Sequence, residues 1–223
     1  MSADPGLFAT IHTMRAMRRL KPDPVPEAVL LKVLEAGTCA PSGQNLQRWA
    51  FLVVTDDAGK RFFGERYRHW LHARFGAALE TAAGSSDALG RSVKAALHLA
   101  DHMHEAPVLL FCCGVRDWPF AVPPEARSGL APPSYGSIYP AVQNILLACR
   151  GLGLGASLTT MHQMFEPEMH EFFGIPDTHG VVAVIPIGYP RGKFGPVSRD
   201  PAPTKTHFNR WGQGRPGLAE PAG

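Results

Sequence analysis

The chain has 223 residues, 45% of them hydrophobic and 18% charged, with a formal net charge of +3. These are globular proportions for one large domain or two small ones. The weak positive excess excludes a nucleic-acid binder built on charge and suits a small anionic ligand. The N-terminal eight residues carry an Asp and no apolar run, so no signal peptide is expected. No stretch reaches the roughly 20 apolar residues of a membrane span. Cys39, Cys112, Cys113 and Cys149 sit among apolar neighbours with no CxxC pair, which reads as buried reduced thiols and a cytoplasmic setting.

In chain order, Leu7, Phe8, Ile11 and Met14 share one face of a short opening helix. A basic cluster follows, Arg15 to Lys21, and Pro22-Asp23-Pro24-Val25-Pro26 ends it in an extended conformation. Pro26 and Glu27 suit the first turn of a helix that runs to about Thr38. The loop Ala40-Pro41-Ser42-Gly43-Gln44-Asn45-Leu46-Gln47-Arg48-Trp49 leads into a buried strand, Phe51 to Thr55. Gln44, Asn45 and Gln47 can each donate and accept hydrogen bonds. The loop reads either as a turn with solvated amides or as a wall for a flat polar ligand.

Asp56 or Asp57 caps a helix through Phe62, Tyr67 and Leu71 to about Ala82. Gly84-Ser85-Ser86 breaks it, and another helix spans Leu89 to Met103. Val108 to Val115 is a continuous apolar run, the pattern of a central strand covered on both faces. Residues 117–134, rich in Pro, Ala and aromatics, form a long connection of the kind that serves as a binding loop or lid. Ser137 caps a helix through Gly151 that is apolar on most of its circumference, so it is buried in the core or against a partner chain. Ala156 to Thr160 is a short strand and Pro167 to Phe173 a short helix. Val181 to Ile187 is an apolar strand whose Pro186 places its far end at a sheet edge. The tail from Arg191 has no periodicity and either wraps another surface or lacks fixed structure. Strands and helices mix without strict alternation, which gives an α+β sandwich around one sheet of four or five strands.

Arg15 and Arg18 are three apart, so a helix or turn presents them to one side, where with Arg199 they either converge on a phosphate or remain solvated charge. His98 and His102 have a metal-site spacing, but Leu99 stands where HExxH needs its glutamate, and no metal is expected. No GxSxG surrounds Ser137 or Ser157, and the cysteines are too apolar to be thiolates. Gly151-Leu152-Gly153-Leu154-Gly155 follows a helix and precedes a strand, which is a helix C-cap and not a dinucleotide fingerprint. Phosphate-binding candidates without a protein acid, base or nucleophile point to a cofactor that carries the chemistry itself.

The order of motifs resembles the FMN-dependent nitroreductase family along about residues 7–200. It comprises the basic cluster, Lys-Pro-Asp-Pro-Val-Pro, Ala-Pro-Ser-Gly-x-Asn-x-Gln-x-Trp, Gln143-Asn144 in an apolar helix, Gly-Leu-Gly, and a strand ending Ile-Gly-Tyr-Pro. The most specific match covers 15–54. The resemblance implies a nitroreductase-like α+β sandwich: a central mixed sheet of four to five strands flanked by helices, in an intertwined homodimer with FMN at the interface. Residues 1–200 would form that FMN-binding domain and 201–223 a C-terminal extension. Carried over, Arg15 would hold the FMN phosphate beside Ala16, and Arg18 would lie near the ribityl chain and the N1–C2 edge. Pro41, Ser42, Gly43, Asn45 and Gln47 would wall the partner's flavin. Ser137 and Ile138 would run near the flavin face, and Arg199 would be the C-terminal phosphate contact. Met14 and Ala16 depart from the family's Arg-Arg-Ser-x-Arg pattern, removing a charge and a hydroxyl, and Tyr139-Pro140 stands where many members have a small residue. The implied activity moves hydride from NADPH or NADH through the flavin to a nitroaromatic, quinone or other small conjugated acceptor. Rival readings on the same fold are a flavin-dependent dehalogenase, a flavin-cleaving enzyme, or a non-catalytic flavin binder.

Overall fold

The computed structural model describes residues 5–116, 135–214 and 217. The chain runs α1 (Leu7–Thr13), α2 (Glu27–Thr38), β1 (Trp49–Val54), α3 (Asp57–Ala83), α4 (Ala88–His102), β2 (Val108–Val115), α5 (Tyr135–Gly151), β3 (Gly155–Ala156), α6 (Glu166–Phe173) and β4 (His179–Gly188). The sheet order is β1-β2-β4-β3. Every pairing among the described residues is antiparallel, where a mixed sheet was expected.

The apolar run of β2 sorts by parity. Leu109, Phe111 and Cys113 face a layer of α3, α4 and α6, where they meet Phe63, Tyr67, Leu99 and Met169. Val108, Leu110 and Cys112 face α2 and α5, against Val33, Val142 and Ile145. With helices on both sides, each strand residue finds an apolar neighbour, so no alternation is needed in the sequence. Close approach of α2 is fixed by Gly37, where a Cβ would stand 2.9 Å from Ile145 Cγ1.

The expected helices form with small boundary shifts. Asp56 caps α3, its carboxylate accepting from Gly59 N at 2.8 Å. Gly153, at φ 76°, closes α5 with Leu154 N donating to Cys149 O. That is the left-handed cap read from the glycine run.

Other expectations are corrected. Ser137 is not a cap, since α5 is already helical at Tyr135. β1 is an edge strand, and of its residues only Val54 is buried. Cys39 is exposed at the end of α2, while the other three cysteines are buried. Pro186 is not at an edge, because β4 lies between β2 and β3. The ring interrupts the outer ladder instead: Thr159 and Val184 bridge, Ala156 and Ile187 pair, and the step between them, where Pro186 has no N–H to offer, is missing. Val184 N points to Thr159, so the absent Pro186 N–H also points away from β2 and costs that ladder nothing.

The long connection expected at 117–134 lies outside the described residues. The first part of the tail is laid on the chain's own body: Arg191 N donates to Arg19 O and Val197 N to His12 O. Among the described residues, no helix is long and apolar enough to cross a membrane. Leu7, Phe8 and Ile11 of α1 are exposed, an apolar face left uncovered among the described residues.

Candidate functional site

The loop between α2 and β1 is held in an uncommon backbone conformation. Gln44, Asn45 and Gln47 all have positive φ, between 49° and 54°. Asn tolerates this region; two Gln residues there store strain, and stored strain gathers where a loop must present its groups in one geometry. Cross-links hold the loop. Gln47 N donates to Ser42 Oγ at 2.8 Å, Asn45 N to Ser42 O at 2.9 Å, and Gln47 Nε2 to Asn45 Oδ1 at 3.2 Å. Gly43 N reaches Ser137 Oγ at 3.4 Å, tying the loop to the start of α5. Pro41, Gly43, Asn45 and Gln47 are exposed and Ser42 is half-buried, so the amide groups face outward. Ile138, next to Ser137, is fully buried against the position of Gly114, so its side chain belongs to the core and only its backbone can meet a ligand.

The basic cluster takes a different shape from the one expected. α1 ends at Thr13, and Met14 turns into extended backbone at φ −70° and ψ 116°. Met17 N then donates to Ala156 O at 2.9 Å, laying the segment along β3. In an extended chain, a spacing of three does not place two side chains on one side. Arg15 accordingly lies beside Gly195, while Arg18 is close enough to Tyr67 for its charge to oppose the rise that burial gives that phenol. Tyr67 accepts a hydrogen bond from Thr159 Oγ1. Ala16 is exposed between the two arginines and offers no side-chain donor. Arg199 is exposed and donates to Ser198 O, four residues beyond the glycine that Arg15 touches.

The chain therefore brings Ser42 and Gly43 together with Ser137, and Arg15 together with the tail. It does not bring these two groups to each other. The arginine segment borders β3 and the amide loop leads into β1, at opposite edges of the sheet. Three strand spacings put those edges on the order of 14 Å apart.

A second polar cluster was not read from the sequence. Glu166 Oε1 accepts from Arg116 Nη2 at 2.6 Å and from Val181 N at 2.9 Å, with His170 Nε2 at 3.4 Å. His162 Nε2 bonds Val181 O at 2.7 Å. The register of β2 and β4 slips beside this residue, between Cys112 and Cys113, and the peptide groups of Val181 are satisfied by these two side chains. The Glu166–His170 spacing of one helical turn was visible; the partner Arg116, fifty positions away, was not. Burial pushes the Glu166 carboxyl up, but the Val181 and Arg116 bonds outweigh it and hold it below the ordinary range. A depressed carboxyl adds stability that is complete above its unfolded pKa and is lost as pH falls through its folded one. The stability gap between wild type and Glu166→Gln is thus expected to be open at pH 7 and to close below about pH 4, as read by thermal unfolding across pH. A gap that stays constant down to pH 3 would count against the carboxylate.

The three buried cysteines offer no nucleophile. Burial pushes the thiols of Cys113 and Cys149 up to about 12 and that of Cys112 higher still. Among the described residues, no group of three His, Cys, Asp or Glu side chains is placed to hold a metal ion. What the two half-sites offer is guanidinium on one edge and oriented amides on the other.

Comparison with known proteins places the chain in a family. The model of the nitroreductase family matches residues 11–189. An NADH dehydrogenase of Thermus thermophilus is 32% identical over 201 residues, 84% of this chain and 88% of the relative. Among solved structures, an iodotyrosine deiodinase bound to FMN and 3-iodo-L-tyrosine superposes with a TM-score of 0.67 at 22% identity, covering 92% of this chain and 98% of its own. A nitroreductase with bound FMN from Bacteroides fragilis gives 0.62 at 20% identity, covering 91% and 98%. The family match runs from within α1 through the end of β4 and takes in the arginine segment, the amide loop and the whole sheet, and the chain belongs to the nitroreductase family.

Proposed function

We propose that this chain is an FMN-dependent oxidoreductase that moves hydride from NADPH or NADH to a nitroaromatic, quinone or similar conjugated acceptor in a ping-pong cycle. The observation that carries the reading is the separation of the two half-sites. Guanidiniums on one edge and strained amides on the other are complementary halves for a planar, phosphorylated ring, and a second copy of the chain supplies the missing half to each. The uncovered apolar face of α1 supports a homodimer, and the buried thiols fit a reducing cytoplasm.

The residues present fit FMN. Arg15, two residues before the bond that lays Met17 along β3, and Arg199, two residues past the bond of Val197 to His12, both exposed, would hold the phosphate, and Arg18 would place its charge at the ring. From the partner, Ser42, Gly43, Asn45 and Gln47 would hold the polar edge of the ring, their geometry set by the bonds within the loop and to Ser137. When bound, the flavin supplies hydride acceptance and donation at N5. The chain's own part is position and field, and burial keeps the thiols of Cys112, Cys113 and Cys149 protonated and out of the chemistry.

The test is anaerobic. The purified protein should be yellow, should bleach with NADPH or NADH, and should regain its colour on adding 1,4-benzoquinone or nitrobenzene, with parallel double-reciprocal plots. Protein that takes up FMN but is reduced by neither nicotinamide would be a flavin binder. Conversion of a halogenated phenol in preference to either acceptor would favour the dehalogenase reading, to which the likeness to the deiodinase gives some support.

A further inference from the structure

A second cationic cluster lies outside both half-sites. Residues 19–21 run antiparallel to 189–191: Lys21 N donates to Tyr189 O, Leu20 bridges Pro190, and Arg191 N donates to Arg19 O. This register sets Arg19 and Arg191 side by side, both exposed. Arg191 is steadied by its Nε, which donates to Leu20 O at 3.0 Å. The end of α4 lies close enough for the charges of Arg19 and Arg191 to act on His98, and for that of Arg191 to act on Glu105. His98 and His102 stand with ring centroids 4.2 Å apart.

The charges here do not balance. His98 is held below its ordinary pKa first by burial, then by His102 and Arg19, with Arg191 adding to the effect. Glu105 is the acid that answers them, and its carboxylate is engaged by His102 Nδ1 at 2.7 Å. Asp101, on the same helix, is turned to α3, where it pairs with Arg68 and His72. Two guanidiniums beside one engaged carboxylate leave an excess of positive charge, and an anion with several acceptor oxygens neutralises it. A phosphate monoester matches the guanidinium fork and can also accept from imidazole. Along the extended segment, Arg19 stands about 13 Å from Arg15, so the cluster is separate from the place proposed for the flavin phosphate.

We propose that Arg19, Arg191 and His98 form a phosphate-monoester subsite that takes the 2′-phosphate of the nicotinamide donor, so that the enzyme favours NADPH over NADH. This assignment of donor rests on the reading of the chain as an NAD(P)H-dependent oxidoreductase; the phosphate subsite itself does not.

The probe is adenosine 2′,5′-bisphosphate, titrated calorimetrically into FMN-loaded protein. Binding to the wild type is expected, weakened about tenfold in Arg19→Met and further in Arg19→Met with His98→Gln. The flavin spectrum should be unchanged in both. Arg19 is exposed and its backbone bond to Arg191 survives the change, so folding is not at stake. In turnover, the ratio of kcat/KM for NADPH over NADH should fall about tenfold in Arg19→Met, with kcat for the acceptor half-reaction unaltered. Equal bisphosphate binding by wild type and variants, or none by the wild type, overturns the subsite. Lost bisphosphate binding with an unchanged donor ratio overturns the assignment to NADPH and makes the cluster a site for another phosphate compound. A protein that takes no FMN yet binds the bisphosphate through Arg19 sinks the functional reading and leaves the subsite standing.

Discussion

Arg15→Ala is expected to weaken FMN binding about a hundredfold, because removing one partner of a phosphate–guanidinium pair costs about 2–5 kcal/mol. The family pattern would surround this position with a further cation and a hydroxyl, and here Met14 and Ala16 supply neither. On the proposed reading, Arg15 would therefore carry a larger share of the phosphate's neutralisation than a single residue in a fuller motif. Arg15→Lys should bind at an intermediate level, since it keeps the charge and loses the planar fork. Titration of apo-protein with FMN, followed by flavin fluorescence, measures both. The dependence on salt should also become shallower in the alanine variant. Wild-type affinity in Arg15→Ala would remove this residue from the phosphate site.

Phe63→Ala is expected to cost about 3–5 kcal/mol of stability. The ring is fully buried and sits among Phe111 at 5.3 Å, Phe165 at 5.4 Å and Tyr67 at 5.9 Å between centroids. These neighbours come from β2, the turn before α6, and α3, so a void there cannot be closed by the movement of one element. Thermal unfolding by circular dichroism should show a midpoint lowered by about 10 °C for a chain of this size. FMN affinity of the folded fraction should hold, which separates this loss from that in Arg15→Ala. A fall of only a degree or two would mean that the site collapses and that the layer under α3 is softer than its packing indicates.

The elements of this fold were legible where one local signal decides them. Asp56 at the head of α3, Gly153 at the end of α5 and the apolar runs of β2 and β4 each specify their structure from a few neighbouring residues. Legibility failed where a distant partner decides. Pro186 reads as an edge residue, yet it lies inside the sheet, because its missing N–H faces the one position where the outer ladder can spare a bond. Arg15 and Arg18 read as one face of a turn, but Ala156, far along the chain, draws Met17 into an extended path. The bond between Arg116 and Glu166 has no local signature at all. At the site, residue types were readable as amides and guanidiniums. Their placement at opposite sheet edges was not readable, since it follows from the strand order and from the bond that lays Met17 along β3.

A mixed-dimer experiment tests the shared cleft most directly. Chains carrying Arg15→Ala with Arg18→Ala are co-expressed with chains carrying Ser42→Ala with Asn45→Ala, and the doubly tagged hybrid is isolated. Each variant alone should be colourless and inactive. In the hybrid, one cleft is built from the two intact halves and the other from the two damaged ones, so one FMN per dimer and about half of wild-type turnover are predicted. A hybrid as empty as its parents, or a single monomeric chain that holds FMN unaided, would contradict the account.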